Sequence, residues 1–182
     1  RSKWSKPIQF ITKYFEKLAA KSNALLVADN KGIQEYLKST YLVTSVLIAY
    51  GADNVDNPMQ EYLTAYGLTL KSYNILVARF EPENNLEAVI KAHIKAEQYL
   101  IVIANNTTSH YSELLPLMSS SEYVIFVGPI YDKEVLNALR AYSRFYFHGH
   151  TVGGTNPSLL EALACGCSIL AHDNPFNRDV LK

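Results

Sequence analysis

From position 72 onward, short apolar runs alternate with stretches of helical periodicity. Residues 74–80 (NILVARF), 99–104, 123–127 (YVIFV), 144–147 and 168–171 are apolar at nearly consecutive positions. That is the mark of strands covered on both faces. Between them, residues 86–97 gather Leu86, Val89, Ile90 and Ile94 on one side, and residues 133–142 gather Val135, Leu136 and Leu139 behind a capping Asp132. Residues 111–119 and 159–164 read as two further helices. Strands alternating with helices of about 10–12 residues predict βαβ units and a parallel sheet. Right-handed crossovers then place helices on both faces. The expected fold class is α/β, a doubly wound parallel sheet.

Upstream the pattern is less regular. Trp4, Ile8, Ile11, Phe15 and Leu18 have helical spacing, residues 24–28 and 44–49 read as strands, and residues 33–37 as one or two helical turns. Residues 53–58 (DNVDNP) are turn chemistry without periodicity and read as a linker; residues 59–67 read as a short helix with a glycine stop. The expected division is residues 1–56, the end of one domain and its linker, and residues 57–182, a second domain.

Composition narrows the class. With 48% apolar and 19% charged residues in 182, the chain has the makings of a core and is not a disordered segment. Seventeen Lys+Arg balance seventeen Asp+Glu, so no bulk field draws the chain to nucleic acid. Charge is uneven, however: Arg1, Lys3, Lys6, Lys13, Lys17 and Lys21 face only Glu16 within the first 21 residues. Such a helix either packs on a core with a solvated lysine face or lies peripherally on an anionic membrane. Cys165 and Cys167 are the only cysteines, which excludes a disulfide framework and fits the cytoplasm. No apolar run reaches the roughly 18–20 residues that span a bilayer. The opening Arg-Ser-Lys-Trp has neither Met nor an apolar leader, as expected of a piece of a longer chain.

In a doubly wound sheet, ligands sit beyond the carboxyl ends of the strands. That directs attention to residues 79–85, 105–109, 128–131 and 148–158. Glycine is scarce, yet Gly149, Gly153, Gly154 and Gly166 cluster after one strand, in a segment running into Pro157 and a helix. Paired glycines allow close backbone approach, and a helix start offers N–H groups to a phosphate. Arg79 ends the first strand of the regular sheet, where a guanidinium can clamp phosphate; the competing reading is an ion pair with Glu81 or Glu83. Ser158-Leu-Leu-Glu161 matches a capping box, while a carboxylate at that place can also accept from ribose hydroxyls. His148 and His150 flank Gly149 and should point to one side; a metal site would need a third ligand such as Asp173, so none is expected. The Cys165-Gly166-Cys167 stretch reads as a helix C-cap.

These residues resemble the nucleotide-sugar-binding half of a GT-B glycosyltransferase of family 4. Residues 77–80 look like the family's phosphate-binding Arg strand, residues 128–131 like the loop beside the nucleobase, and residues 156–164 (NPSLLEALA) like the helix whose Glu binds ribose. Residues 24–30 and 47–53 look like the end of the acceptor-side domain. The strings RFEPENN and GHTVGGTNPSLLEA are similar to those of bacterial rhamnosyltransferase-like enzymes of surface-polysaccharide assembly. Two positions depart from the family pattern: Gly153 stands where the family has a Glu, and Asn84 where it has a Lys.

The resemblance implies transfer, with retention, of a sugar from a UDP or dTDP donor to a glycan or lipid-linked acceptor, without a metal or further cofactor. It implies a catalytic role for Arg79 and Glu161. Substrate contacts fall to Asn84, Gly128, Tyr131, His148, His150, Gly153, Gly154, Thr155, Asn156 and Ser158. It also implies a longer parent, without which this piece binds donor and turns over nothing. Two other readings stay open: a nucleotide-sugar epimerase of the same architecture, and a non-catalytic nucleotide-binding module.

Overall fold

Alternation along the central strands decides the layering. Ile75, Ile101 and Ile103 face one side of the sheet, and Leu76, Leu100 and Val102 face the other; all six are buried. Apolar side chains on both faces require cover on both, so the strands can only lie inside a three-layer α/β arrangement.

The computed structural model describes residues 4–22 and 24–182. Arg1 and Lys3 of the basic stretch lie outside them. The chain divides into two units, residues 1–50 and 51–181.

The second unit holds a parallel five-stranded sheet of β3 (Asn74–Val77), β4 (Leu100–Ile103), β5 (Val124–Phe126), β6 (Tyr146–His148) and β7 (Ile169–Ala171). Spatial order is β5-β4-β3-β6-β7. The sheet is thus wound outward in both directions from β3, and the order reverses between β3 and β6. Such a reversal opens a crevice between the loops that leave the two strands.

Helices α3 (Leu86–Ala96) and α4 (Ser109–Ser119) close a core of Leu76, Phe80, Leu86, Ile90, Leu100 and Leu114 on one face. On the other face, α5 (Lys133–Ala141), α6 (Pro157–Ala164) and a 3-10 helix (Gln60–Tyr66) bury Leu63, Tyr73, Ile75, Leu139, Tyr146 and Ala162. Asp132 caps α5 as expected, its carboxylate accepting from the N–H groups of Glu134 and Val135. A last helix, α7 (Pro175–Val180), is capped by Asn174 and was not anticipated. The short helix expected over residues 59–67 is the 3-10 helix, stopped by left-handed Gly67 at φ 65°.

The first unit carries α1 (Lys6–Ala20), β1 (Val27–Ala28), α2 (Lys31–Tyr41) and β2 (Val46–Leu47), the two strands pairing in parallel. The runs expected over residues 24–28 and 44–49 thus pair over two residues each. Glu16 on α1 accepts hydrogen bonds from Tyr36 and Tyr41 of α2, which joins the two helices by polar contacts. The apolar stripe of α1 is not packed on a core: Ile8, Ile11, Phe15 and Leu18 are all 45% exposed or more. Among the described residues, no helix is long and apolar enough to cross a membrane.

Candidate functional site

The two loops at the sheet reversal are bonded to each other. After β3 the chain passes Arg79 and enters a 3-10 turn, Pro82–Asn84. After β6 it passes Gly149, whose missing side chain admits the Asn84 carbonyl: a Cβ there would lie 2.2 Å from that oxygen. The Asn85 side-chain amide donates to the Gly149 carbonyl at 2.8 Å, and both the N–H and the hydroxyl of Thr151 donate to the Glu83 carbonyl at 2.9 Å. Asn84 itself is buried, its amide donating to the Arg79 carbonyl at 2.9 Å. The position where the resemblance expects a Lys therefore shapes the Arg79 loop and reaches no ligand space.

Beyond the zipped loops lies a crevice of about 550 Å³. Arg79, Tyr131, His150, Asn156, Ser158 and Glu161 all line it, with Asn105 from the neighbouring loop. Arg79 is exposed and makes no ion pair with Glu81 or Glu83 among the described residues, so its guanidinium is available to an anion. With Asn105, seven residues drawn from four loops and one helix thus share a single wall.

The start of α6 replaces the expected capping box with a different cap. The N-cap is Asn156, whose side-chain oxygen accepts from the Ser158 N–H at 3.0 Å, with Pro157 as the first helical residue. Ser158 is therefore inside the helix, and the Ser158–Glu161 capping box does not form. The amides expected from the helix start are also occupied: Pro157 has none, and those of Leu159 and Leu160 point to the Asn156 carbonyl. The N–H groups of Gly153, Gly154 and Asn156, in the preceding loop, make no hydrogen bond among the described residues. The open backbone amides thus lie in the glycine loop that was expected, and not in the first turn of the helix.

Glu161 is held instead by Arg140, a residue that sequence reasoning passed over. The Arg140 guanidinium is 1% exposed and donates to Glu161 Oε2 at 2.6 Å and to Ser158 Oγ at 3.1 Å. Ser158 Oγ also meets the Tyr146 hydroxyl at 2.7 Å, whose pKa is pushed up to about 12 chiefly by burial. The signal was present: Arg140 stands four residues after Leu136, on the apolar face of α5.

His148 and His150 do project to one side, their rings stacked 4.2 Å apart. Both nitrogens of His148 and Nδ1 of His150 are buried without a partner. Burial and the neighbouring His150 push the His148 pKa down to about 3; burial and the Arg79 charge push His150 down to about 4, against the opposing pull of Glu83. Both rings are neutral near pH 7. His150 reaches the crevice, while the His148 ring lies behind it in the core.

Residues 68–182 match the sequence profile described as Glycosyl transferases group 1. The chain belongs to that family. Residues 1–53 match a second profile, described as a domain of unknown function (DUF1972). Among solved structures, HepE of Anabaena in complex with UDP-glucose aligns with a TM-score of 0.75 and 18% identity, over 91% of this chain and 49% of that one. The pneumococcal O-GlcNAc transferase GtfA with UDP and GlcNAc aligns at 0.63 and 15%, over 89% and 32%. The trehalose 6-phosphate synthase of Burkholderia multivorans aligns at 0.56 and 12%, over 76% and 41%. The chain therefore spans about half or less of these glycosyltransferases, and at such identities the likeness is one of GT-B fold. No curated protein matches.

In this glycosyl transferase group 1 chain, the remaining expected residues line no part of the crevice. Gly128 and Gly153 have left-handed backbones at φ 76° and 121° and shape their loops. Gly154 stands in the same loop, and Thr155 is buried behind it. The helix C-cap at Gly166 is present, with the Cys167 N–H donating to the Ala162 carbonyl at 3.1 Å. No cluster of three metal-ligating side chains occurs among the described residues.

Proposed function

We propose that residues 57–182 form the donor-binding half of a retaining glycosyltransferase that takes a UDP or dTDP sugar. Residues 1–56 then belong to the acceptor side. The observation that carries this reading is the convergence of Arg79 and Glu161 on one crevice at the sheet reversal. A sugar nucleotide presents two anionic phosphates and the hydroxyls of its pentose, both 2′ and 3′ in UDP and the 3′ alone in dTDP, and the crevice offers one group suited to each. Arg79 and the amide of Asn156, both on the crevice wall, neutralise the diphosphate as it leaves, stabilising charge that develops in the transition state. The free oxygen of Glu161 accepts from ribose hydroxyls. Tyr131, exposed on the 128–131 loop, stands beside the base, and His150 beside the phosphates as a neutral donor.

The rhamnosyltransferase-like branch of family 4 and a role in bacterial surface-polysaccharide synthesis extend the same proposal, as does a glycan or lipid-linked acceptor. HepE and GtfA, solved with UDP or UDP-sugar, support the choice of donor class. The exposed apolar stripe and lysines of α1 support peripheral contact with the cytoplasmic membrane face.

Calorimetric titration of the chain with UDP, dTDP and UMP tests the site. UDP binds, and Arg79→Met weakens it by about 10–100-fold, the loss of one charge-assisted contact. UMP, lacking the second phosphate, is weakened far less. Equal UDP affinity in Arg79→Met and the parent chain would refute the assignment.

A further inference from the structure

We propose that Arg140 is a positioning residue that fixes Glu161 for ribose recognition. The inference rests on the sugar-nucleotide reading above and adds to it the group that sets sugar selectivity within the nucleoside.

A guanidinium that is 1% exposed on the apolar face of α5 is costly to bury, and its Nε has no partner. Hydrophobic residues of similar volume would fill the same space at no such cost. What the charge provides is geometry. One terminal nitrogen, Nη2, reaches both Ser158 Oγ, at 3.1 Å, and Glu161 Oε2, at 2.6 Å. Tyr146 holds Ser158 from the sheet side at 2.7 Å. The Glu161 side chain, 44% exposed, would otherwise sample several rotamers. Held through Oε2, it leaves Oε1 open as an acceptor on a side chain that lines the crevice, as Arg140 also does. A fixed acceptor distinguishes a nucleoside with 2′ and 3′ hydroxyls from one without; a mobile carboxylate, hydrated in the free state, does so weakly.

The test is the ratio of affinities for UDP and 2′,3′-dideoxy-UDP, measured by calorimetry on the chain and its variants. The parent chain prefers UDP by about tenfold or more, a difference matching one hydrogen bond to a charged group. In Arg140→Met the ratio falls below threefold while the dideoxy affinity stays within twofold of the parent. A purely structural role would weaken both nucleotides alike and leave the ratio untouched. Arg140→Lys keeps the charge without the guanidinium geometry, and its ratio falls at least twofold; it decides the matter if Arg140→Met does not fold. An unchanged ratio in either folded variant overturns the inference alone. A parent chain that binds neither nucleotide overturns the sugar-nucleotide reading and the inference with it.

Discussion

Gly149→Ala is the substitution whose effect the structure fixes most tightly. The added Cβ would stand 2.2 Å from the Asn84 carbonyl oxygen and 3.2 Å from the Asn84 carbonyl carbon and Asn85 Cβ. Ordinary contact begins near 3.4 Å, so backbone must move by about 1 Å, and neither neighbour is the free end of a flexible side chain. Overpacking of this kind costs about 1–3 kcal/mol, and displacing the Asn85 and Thr151 bonds that join the loops adds about 1 kcal/mol more. For a chain of 182 residues, a loss of about 3 kcal/mol lowers the melting temperature by about 6–12 °C. Gly51→Ala is the control, since a Cβ there meets nothing within 4 Å. Thermal unfolding by circular dichroism reads both variants. UDP titration reads the second consequence, because the loop that moves carries Arg79. A Gly149→Ala protein that melts within about 2 °C of the Gly51→Ala control would refute the account of how the two loops are joined.

Acid sensitivity follows from the stacked imidazoles. Their folded pKa values lie below the ordinary 6.5, so the unfolded chain binds protons first and stability is lost as pH falls from about 6.5 toward about 4. Each histidine contributes a slope of up to about 1.4 kcal/mol per pH unit in that window, and His148→Gln flattens it in urea melts taken from pH 7 to 4.5. An identical slope in that variant would count against burial of a neutral ring. Glu161→Ala leaves Arg140 buried without its carboxylate; because Glu161 is 44% exposed, solvent moderates the loss to about 1–2 kcal/mol, or roughly 2–8 °C in melting temperature. Glu161→Gln, which keeps an acceptor for Arg140, melts closer to the parent, and the reverse order would contradict the pairing.

How much of this was legible in the sequence depended on whether the governing contact was local. The five strands of the large sheet were readable because each is apolar at consecutive positions, and the Asp132 cap because it lies within one turn of the residues it serves. The strand order was not, since it depends on which runs pair across the chain. At α6 the local signal was present and was outweighed: Asn156-Pro157 is a cap followed by a first-turn proline, yet Ser158 and Glu161 matched a better-known pattern. Asn174-Pro175 repeats that signal at α7. The partner of Glu161 lies 21 residues away on another helix, beyond any spacing rule. Gly149 likewise shows its reason only when Asn84, distant in sequence, is brought against it.

The central claim is that one sugar nucleotide lies between Arg79 and Glu161 at the sheet reversal. Co-crystallisation of the chain with UDP tests it most directly. The account predicts the diphosphate within hydrogen-bond distance of the Arg79 guanidinium and the Asn156 amide, with the ribose hydroxyls on the Glu161 oxygen that Arg140 leaves open. A nucleotide seated elsewhere on the chain, with Arg79 turned to solvent and Glu161 more than one water away, would contradict it.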